Sequence, residues 1–246
     1  MRTLDIPKLV EKNSVNLMSG IIVVCEEQIQ RLQNSYDYSP NRVRIIKNTP
    51  YLKENYENNS NTNTQKITFL HHGWLTEEKR IDNFIEAFII SFKNDDNYQL
   101  NIAGNGNCIN EFKKLALGVN NINFLGEYNY DELDSIISNS TIGVLPYEIN
   151  DFNDFTIHNK LFDYFALSKP VIVSEAKPIA RIVSESNSGI IFDCSSVDSI
   201  VSQFKTLNYI KIHELGENAY NAYLERYNWQ EDEKLLLQFA KLKVIG

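Results

Sequence analysis

Residues 159–174 read NKLFDYFALSKPVIVS, a pattern that predicts a helix followed at once by a buried strand. The first part, Asn159–Leu167, spaces its apolar side chains as a helix does. Val171–Val173 is a short apolar run that is typical of a buried strand. A helix that leads directly into a buried strand indicates a βαβ arrangement, and therefore a parallel sheet covered by helices on both faces.

The same alternation extends along most of the chain. The predicted strands of this part are Ile67–His71, Gln99–Ala103, Ile122–Phe124, Ile142–Leu145, Val171–Val173 and Gly189–Phe192. The predicted helices are Ile81–Phe92, Cys108–Leu117, Tyr130–Ser138, Asn159–Leu167, Ile179–Ser186, Val197–Leu207 and a stretch over about 214–242. This order predicts an α/β fold with a doubly wound, Rossmann-like parallel sheet. Ligands of such sheets bind outside the carboxyl ends of the strands.

A polar, Asn-rich segment at 53–65 divides the chain and is interpreted as an exposed linker. Residues 1–52 before it are predicted to hold two helices and two strands, the strands at Gly20–Cys25 and Val43–Ile46. Two strands cannot form a stable domain alone. We therefore expect this piece to pack onto the larger unit at 66–246.

Composition argues against several classes of protein. The 246 residues carry a net charge of −8, and nucleic-acid binding is not expected because phosphate backbones need a basic stripe. Cys25, Cys108 and Cys194 are far apart, and no His/Cys spacing suits zinc, so three reduced thiols and no metal are expected. The first residues lack a long apolar run, and no segment is long and apolar enough for a bilayer, so a cytoplasmic protein is expected.

The turn after the first strand of the sheet is one candidate site. Gly73 would let the backbone approach a ligand closely. Lys79 and Arg80 stand at the start of a helix, where the helix dipole disfavours cations. Such a placement indicates an anionic partner such as a diphosphate. A solvated charged turn explains the same residues and is the alternative.

The loop from Pro146 to Thr156 is a second candidate, because long loops in compact α/β domains are usually functional. It leads into His158 and into the helix at Asn159, whose N-terminus offers free N–H groups to an anion. Asp163 in the second turn could accept two hydrogen bonds from a ribose diol. A surface role for Asp163 and a structural role for His158 are the alternatives.

Taken in order, these motifs resemble the donor-binding half of family-four-like retaining glycosyltransferases, which have the GT-B fold. The stretch at 159–174 is similar to that family's Lys-Leu-x-Glu-Tyr-x-Ala, followed by a small residue and Lys-Pro-Val-Ile. The resemblance covers about residues 20–240, and its specificity lies in the order and spacing of loose motifs. Further matching positions are Gly73, Lys79, Gly104, Phe124-Leu125-Gly126, Glu132-Leu133, Val144-Leu145-Pro146 and Trp229.

The resemblance implies a set of donor-binding residues. Asp163 would bind the ribose, and Lys79 would bind the diphosphate with help from the N-terminus of the Asn159 helix. The loop at 125–128 would hold the base, and the loop at 146–156 would face the sugar. The implied set is Gly73, Lys79, Arg80, Leu125, Gly126, Asp154, His158, Asn159, Lys160, Leu161 and Asp163. No catalytic side chain, metal or cofactor is implied beside the nucleotide-diphosphate sugar, which is a substrate.

Three departures from the family pattern bear on the site. Asp163 stands where the family has Glu, and Trp74 stands where it has Arg. Phe155 occupies the position of the family's first acid, with Asp154 beside it. These changes fit either a different donor or a degenerate site.

The resemblance implies transfer of a hexose-type sugar, with retention, from a nucleotide-sugar donor to a saccharide or polyprenyl-linked acceptor. It implies a role in surface polysaccharide synthesis, at the inner face of a membrane or free in the cytoplasm. Residues 1–52 resemble the last βαβ unit of an acceptor-side domain, and the C-terminal helices of the unit at 66–246 would cross back toward it. The chain alone is thus expected to bind the donor but hardly to turn over, and a separate acceptor-domain chain would be one way to complete the cleft. A nucleotide-sugar-binding subunit without chemistry and a GT-B sugar-nucleotide epimerase are the alternatives.

Overall fold

The computed structural model of the chain describes residues 6–53 and 66–244. Its strands are β1 (Ile21–Val23), β2 (Val43–Ile45), β3 (Ile67–His72), β4 (Tyr98–Ala103), β5 (Ile122–Gly126), β6 (Ile142–Leu145), β7 (Val171–Ser174) and β8 (Gly189–Phe192). Its α-helices are α1 (Ile6–Leu17), α2 (Glu26–Tyr36), α3 (Ile81–Phe92), α4 (Ile109–Leu115), α5 (Leu133–Ser138), α6 (Lys160–Ala166), α7 (Lys177–Ser186), α8 (Val197–Phe204), α9 (Tyr209–Glu225) and α10 (Trp229–Val244). The predicted linker at 53–65 lies outside the described residues apart from Lys53.

Six parallel strands form the main sheet, in the order β5-β4-β3-β6-β7-β8. The chain moves outward from β3 to β5 on one side and from β6 to β8 on the other. The strand order therefore reverses between β3 and β6, and a crevice opens at the carboxyl ends of these two strands. This confirms the predicted doubly wound parallel sheet and places the crevice beside His72 and Leu145, the last residues of β3 and β6.

The central strands have continuous apolar sequences because both of their faces are covered. All residues of β3, β6 and β7 are buried. On one face Phe69 packs against Phe84 of α3 and Phe204 of α8, with ring centroids 5.8 and 5.2 Å away. On the other face α6 and α9 pack together, and Phe162 stacks on Tyr227 at 5.2 Å.

The predicted strands and helices of the main unit are confirmed, with ends that differ by a few residues. The predicted helical stretch at 214–242 consists of two helices, α9 and α10, which are separated at Asn228. The buried Asn228 amide donates to the carbonyls of Tyr223 and Leu224, and its oxygen accepts from the Glu231 N–H at 3.1 Å. One side chain thus caps the end of α9 and the start of α10.

Three expectations from composition can be compared with the described residues. The cysteines are free thiols, of which Cys25 and Cys194 are buried and Cys108 is partly exposed. In the ranges 6–53 and 66–244, no group of three His, Cys, Asp or Glu side chains could hold a metal ion. No helix in the described part of the chain is both long and apolar enough to cross a membrane.

The N-terminal segment is a small parallel pair, β1 and β2, flanked by α1 and α2. Arg181 on α7 joins it to the main unit, since its Nε donates to Glu27 on α2 at 2.8 Å and its guanidinium also pairs with Glu26. At a second junction the Thr49 hydroxyl donates to Asp232 on α10 at 2.8 Å. The segment is therefore anchored on the larger unit from two directions.

We predict that Arg181→Met lowers the free energy of unfolding by about 1–3 kcal/mol, because the buried Glu27 carboxylate loses its partner. Denaturant unfolding followed by circular dichroism at pH 7 would measure this loss. The matched control is Lys234→Met, which removes an exposed ion pair with Glu231 and should change the free energy by less than about 0.5 kcal/mol. Equal stability of the two variants would contradict the prediction.

Candidate functional site

Backbone turns at the ends of β3, β4 and β5 line the crevice. Gly73 follows β3 with a φ of 111°, and its N–H donates to the Ala103 carbonyl at 2.9 Å. Gly104 follows β4 with a φ of 117°, and its N–H donates to the Gly126 carbonyl at 2.6 Å. A Cβ on Gly104 would lie 2.1 Å from the Gly73 carbonyl oxygen, so only glycine allows the turns to pack this closely.

The amine of Lys160 lies over the Gly73 backbone. A Cβ on Gly73 would come within 2.3 Å of the Lys160 Nζ, so the close approach depends on glycine. Burial, and then the charge of Lys79, lowers the pKa of Lys160 to about 8, whereas Asp163 acts in the opposite direction. The structure thus brings Gly73, Lys79, Lys160 and Asp163 of the predicted set together.

Helix α6 is held in place by Tyr164. The buried Tyr164 hydroxyl donates to the Leu70 carbonyl of β3 at 2.6 Å. Gly143 of β6 leaves room for the ring, because a Cβ there would lie 2.5 Å from it. Lys160 and Asp163 are three residues apart and share one side of α6, which this packing turns toward the crevice.

The carboxylate of Asp163 lies among three charged groups. Burial, and less strongly Asp134, raises the pKa of Asp163 to about 6, against the lowering effects of Lys53 and Lys160. Lys53 forms an ion pair with Asp134, and the Lys53 N–H donates to the Tyr223 hydroxyl at 3.0 Å. Asp163 is therefore largely ionised at neutral pH, where it can accept hydrogen bonds from hydroxyl groups.

The ring of Tyr147 contacts both Lys79 and His158. The Lys79 Nζ lies 4.5 Å from the ring centroid, and the His158 ring centroid lies 3.6 Å from it. The His158 Nε2 is 2.9 Å from the Asn153 amide oxygen, which fixes the imidazole. Burial, followed by the charges of Lys79 and Lys160, lowers the pKa of His158 to about 3. His158 is thus a neutral imidazole beside the two lysines.

Two predicted site residues are directed elsewhere. Arg80 has a left-handed backbone with a φ of 47°, and its guanidinium lies 3.7 Å from Asp82 at the start of α3. Asp154 is buried and lies 2.9 Å from the Lys177 amine. Arg80 is thus paired at the start of its own helix α3, and Asp154 with a residue of α7.

Four further predicted residues lie at the margin of this cluster or beneath it. Leu161 is fully buried in the core, and its N–H donates to the His158 carbonyl at 3.0 Å. Leu125 and Gly126 are exposed at the end of β5. Asn159 is exposed and precedes α6 without a side-chain capping hydrogen bond.

His72 and Tyr147 support the crevice, although neither belongs to the set of donor-binding residues named above; Tyr147 lies in the loop at 146–156 that was expected to face the sugar. The His72 Nδ1 lies 2.9 Å from the Tyr128 hydroxyl, and its ring packs edge-on against Tyr164 at 5.1 Å. Burial, then Lys160, lowers the pKa of His72 to about 3, so this imidazole is also neutral. In the sequence, the position of His72 at the end of β3 and of Tyr147 just after β6 was the only signal of this role. Buried aromatic rings are otherwise normally part of the core.

The charges in the crevice favour an anion. Within the described residues, the amines of Lys79 and Lys160 form no ion pair, and burial is the main cause that lowers the pKa of each. Two partly desolvated cations repel one another, and a phosphate group between them would remove that repulsion. The neighbouring Asp163 carboxylate suits a ligand that carries hydroxyl groups next to its phosphates.

Several solved structures share this architecture. HepE from Anabaena, in complex with UDP, matches with a TM-score of 0.79 and 13% identity over 100% of this chain and 69% of that one. TarM from S. aureus, a mutant in complex with fondaparinux, alpha-GlcNAc-glycerol and UDP, matches with a TM-score of 0.73 and 16% identity. The match covers 97% of this chain and 48% of that one. WaaG, a glycosyltransferase involved in lipopolysaccharide biosynthesis, matches with a TM-score of 0.68 and 18% identity. The match covers 87% of this chain and 60% of that one. These likenesses show a GT-B fold, and the chain spans 48% to 69% of the length of these structures.

The sequence itself identifies the family. A search of curated protein sequences finds no significant match to this chain. The sequence profile described as Glycosyl transferases group 1 matches residues 53–222, which is more than half of the chain and includes the whole of the main sheet. The chain therefore belongs to the glycosyl transferases group 1 family.

Proposed function

We propose that this chain is the donor-binding half of a retaining glycosyltransferase and holds a nucleotide-diphosphate sugar in the crevice beside β3 and β6. The observation that carries the proposal is that the partly buried amines of Lys79 and Lys160 lie near the Gly73 turn and form no ion pair among the described residues. The diphosphate would lie between these amines, and the ribose hydroxyls would donate to Asp163. UDP is bound in the HepE and TarM structures, which supports a nucleotide ligand for this fold.

In the proposed reaction, the positive charges of Lys79 and Lys160 stabilise the leaving diphosphate. When the glycosidic bond to the diphosphate breaks, negative charge grows on the leaving phosphate. Two fixed cations in a partly dehydrated crevice stabilise that charge without a costly rearrangement of solvent. Asp163 and the base-binding loop at 125–128 would position the donor, which is the other contribution such an enzyme makes.

The finer assignments follow from the family. We propose a hexose-type sugar as the transferred group, a saccharide or polyprenyl-linked acceptor, and a role in surface polysaccharide synthesis at the cytoplasmic face of a membrane. We expect this chain alone to bind the donor and hardly to turn over, since residues 6–53 form only a small two-stranded unit beside the crevice. A separate chain that completes the cleft has support from the match to the GtfA/B complex, with a TM-score of 0.78 over 96% of this chain and 48% of that one.

We predict that Lys160→Ala weakens nucleotide-sugar binding by roughly 10- to 100-fold, because charge-assisted hydrogen bonds to phosphate are lost. Calorimetric titration with UDP-, GDP-, ADP- and CMP-sugars would measure the affinity and identify the base. The matched control is Lys169→Ala, since burial also lowers the pKa of Lys169 to about 8, but its amine donates to the Ser138 carbonyl outside the crevice. Similar losses in both variants would contradict the proposed phosphate contact.

We predict that Asp163→Asn reduces the affinity for the same nucleotide sugar by about tenfold or more, since its hydrogen bonds to the ribose lose their ionic component. Titration with the corresponding 2′-deoxyribose sugar nucleotide distinguishes a ribose contact from general damage. The deoxy compound should bind the wild-type protein more weakly and should be little affected by the substitution. An equal loss for both compounds would speak against ribose recognition by Asp163.

We predict that donor affinity is highest between about pH 6 and pH 8. Above pH 8 Lys160 loses its proton, and with it the positive charge that attracts the diphosphate, because its pKa is lowered to about 8. Below pH 6 Asp163 gains a proton and accepts hydrogen bonds less well, because its pKa is raised to about 6. Calorimetric titration from below pH 6 to above pH 8 would measure the fall in donor affinity on each side. Lys160→Arg should reduce the alkaline fall and leave only the part due to Lys79, whose pKa burial also lowers. An unchanged fall in affinity above pH 8 in that variant would refute its assignment to Lys160.

A nucleotide-sugar-binding subunit without chemistry is the second candidate. Trp74 is 63% exposed where the family has Arg, and the Phe155 carbonyl accepts a hydrogen bond from Gln28 at 2.7 Å where the family has an acid. Both changes remove polar groups from the sugar side of the crevice. Donor binding without transfer, even when an acceptor-domain chain is added, would favour this candidate over the enzyme.

A further inference from the structure

A half-buried tyrosine, Tyr128, stands at the edge of the donor crevice. It is the last residue of the loop at 125–128, and its ring packs against the buried cluster that contains α6. Leu125 and Gly126 of the same loop are exposed, whereas the ring of Tyr128 is turned inward. Burial, and then the charge of Asp163, raises the pKa of Tyr128, so the phenol keeps its proton and lies within the field of that carboxylate.

The hydroxyl of Tyr128 is held by a buried imidazole. It lies 2.9 Å from the Nδ1 of His72, the last residue of β3. His72 is 2% exposed, and its ring packs edge-on against Tyr164, which follows Asp163 on α6. The position of the Tyr128 hydroxyl is therefore set by the sheet and by α6 rather than by its own exposed loop.

The direction of this hydrogen bond follows from the other nitrogen of the ring. Burial, then Lys160, lowers the pKa of His72 to about 3, so the imidazole is neutral and only one of its nitrogens carries a proton. Within the described residues, the buried Nε2 of His72 has no hydrogen-bond partner. An unpaired lone pair is tolerated in a protein interior more readily than an unpaired N–H. Nδ1 therefore carries the proton and donates to the Tyr128 oxygen, which leaves the Tyr128 O–H free to donate to another group.

A donor at Tyr128 and an acceptor at Asp163 together select a hydroxyl group. The Asp163 carboxylate is largely ionised at neutral pH and can only accept hydrogen bonds. A ligand hydroxyl between the two side chains would accept from Tyr128 and donate to Asp163, and hydrogen bonds in such a chain strengthen one another. An analogue that lacks the hydroxyl would leave both side chains without a partner, which is how a site discriminates most strongly between similar ligands.

We propose that Tyr128 is a specificity-determining residue that recognises the ribose 2′-hydroxyl together with Asp163, and that His72 is its positioning residue. This contact rests on the proposed donor function. Tyr128 ends the loop proposed to hold the base, and the 2′-hydroxyl is the ribose hydroxyl nearest to the base. The chain of hydrogen bonds runs from His72 to Tyr128, from Tyr128 to the ribose and from the ribose to Asp163. The site thus selects donors built on ribonucleotides and rejects those built on deoxythymidine diphosphate.

The test is calorimetric titration of the full chain with UDP, GDP and ADP, with their 2′-deoxy forms and with deoxythymidine diphosphate. For the base that binds, we expect the wild-type protein to prefer the ribose form by roughly 10- to 100-fold. Tyr128→Phe should reduce this ratio about tenfold, because it weakens binding of the ribose form alone. The matched control is Tyr38→Phe, which removes a buried phenol hydroxyl that donates to the Met18 carbonyl at 3.0 Å in the N-terminal segment. It should leave the ratio unchanged.

The role of His72 has its own pair of variants. His72→Phe keeps an aromatic ring against Tyr164 but removes the donor, and it should reduce the ratio as Tyr128→Phe does. His72→Asn should restore part of the ratio, because its amide N–H can donate from near the position of Nδ1. A structural role alone would not be rescued in this way, since asparagine fills the site less well than phenylalanine.

The outcomes separate this contact from the donor site as a whole. Equal affinities of the wild-type protein for the ribose and 2′-deoxy forms, or a ratio that Tyr128→Phe leaves unchanged, would overturn the contact and leave the donor site intact. Failure of every nucleotide to bind would overturn both. Thermal unfolding of each variant checks the fold, and Tyr128→Phe decides the question even where a His72 variant does not fold. Nitrogen NMR of the wild-type protein should show the His72 proton on Nδ1, and a proton on Nε2 would overturn the order of the hydrogen bonds.

Discussion

The placement of the charged groups in the crevice depends on the packing of Tyr164 against β3 and β6. Helix α6 has only seven residues, too few to be stable without tertiary contacts. The Tyr164 hydroxyl on the Leu70 carbonyl and the space left by Gly143 fix both its depth and its rotation. A shift by one residue would rotate the side chains by about 100° and carry Lys160 away from Gly73.

The pKa shifts of Lys160 and Asp163 indicate that these two side chains are not a stabilising ion pair. If their mutual attraction dominated, the pKa of the lysine would rise and that of the acid would fall. Instead, the pKa of Lys160 is lowered and that of Asp163 is raised, and burial is the largest cause of each shift. The two side chains therefore do not stabilise the fold as an ion pair. They are held partly dehydrated at some cost in stability, a state that a bound diphosphate and sugar hydroxyls would relieve.

The sequence predicted the sheet well because strands such as Val171–Ser174 are buried on both faces and carry an unbroken apolar signal. The spacing of Lys79 and Asp163 within a known pattern indicated both as donor-binding residues, and that role stays a prediction. The sequence could not predict the partners of Arg80 and Asp154, since those ion pairs depend on a left-handed turn and on the arrival of α7. Asn228 was missed for a similar reason, because a side chain that caps two helices leaves the apolar period almost unbroken.

The attachments of helix α2 to the main unit determine where a movement of the N-terminal segment would be transmitted. Arg181 pairs with Glu26 and Glu27 in its first turn, and Gln28, the next residue, donates to the Phe155 carbonyl. This single turn of α2 is therefore held by α7 and by the loop after β6 together. A displacement of the N-terminal strands, for example by a chain that binds β1, would be transmitted through this turn of α2. It would reach the backbone between Phe152 and His158, which belongs to the loop that we propose faces the donor sugar.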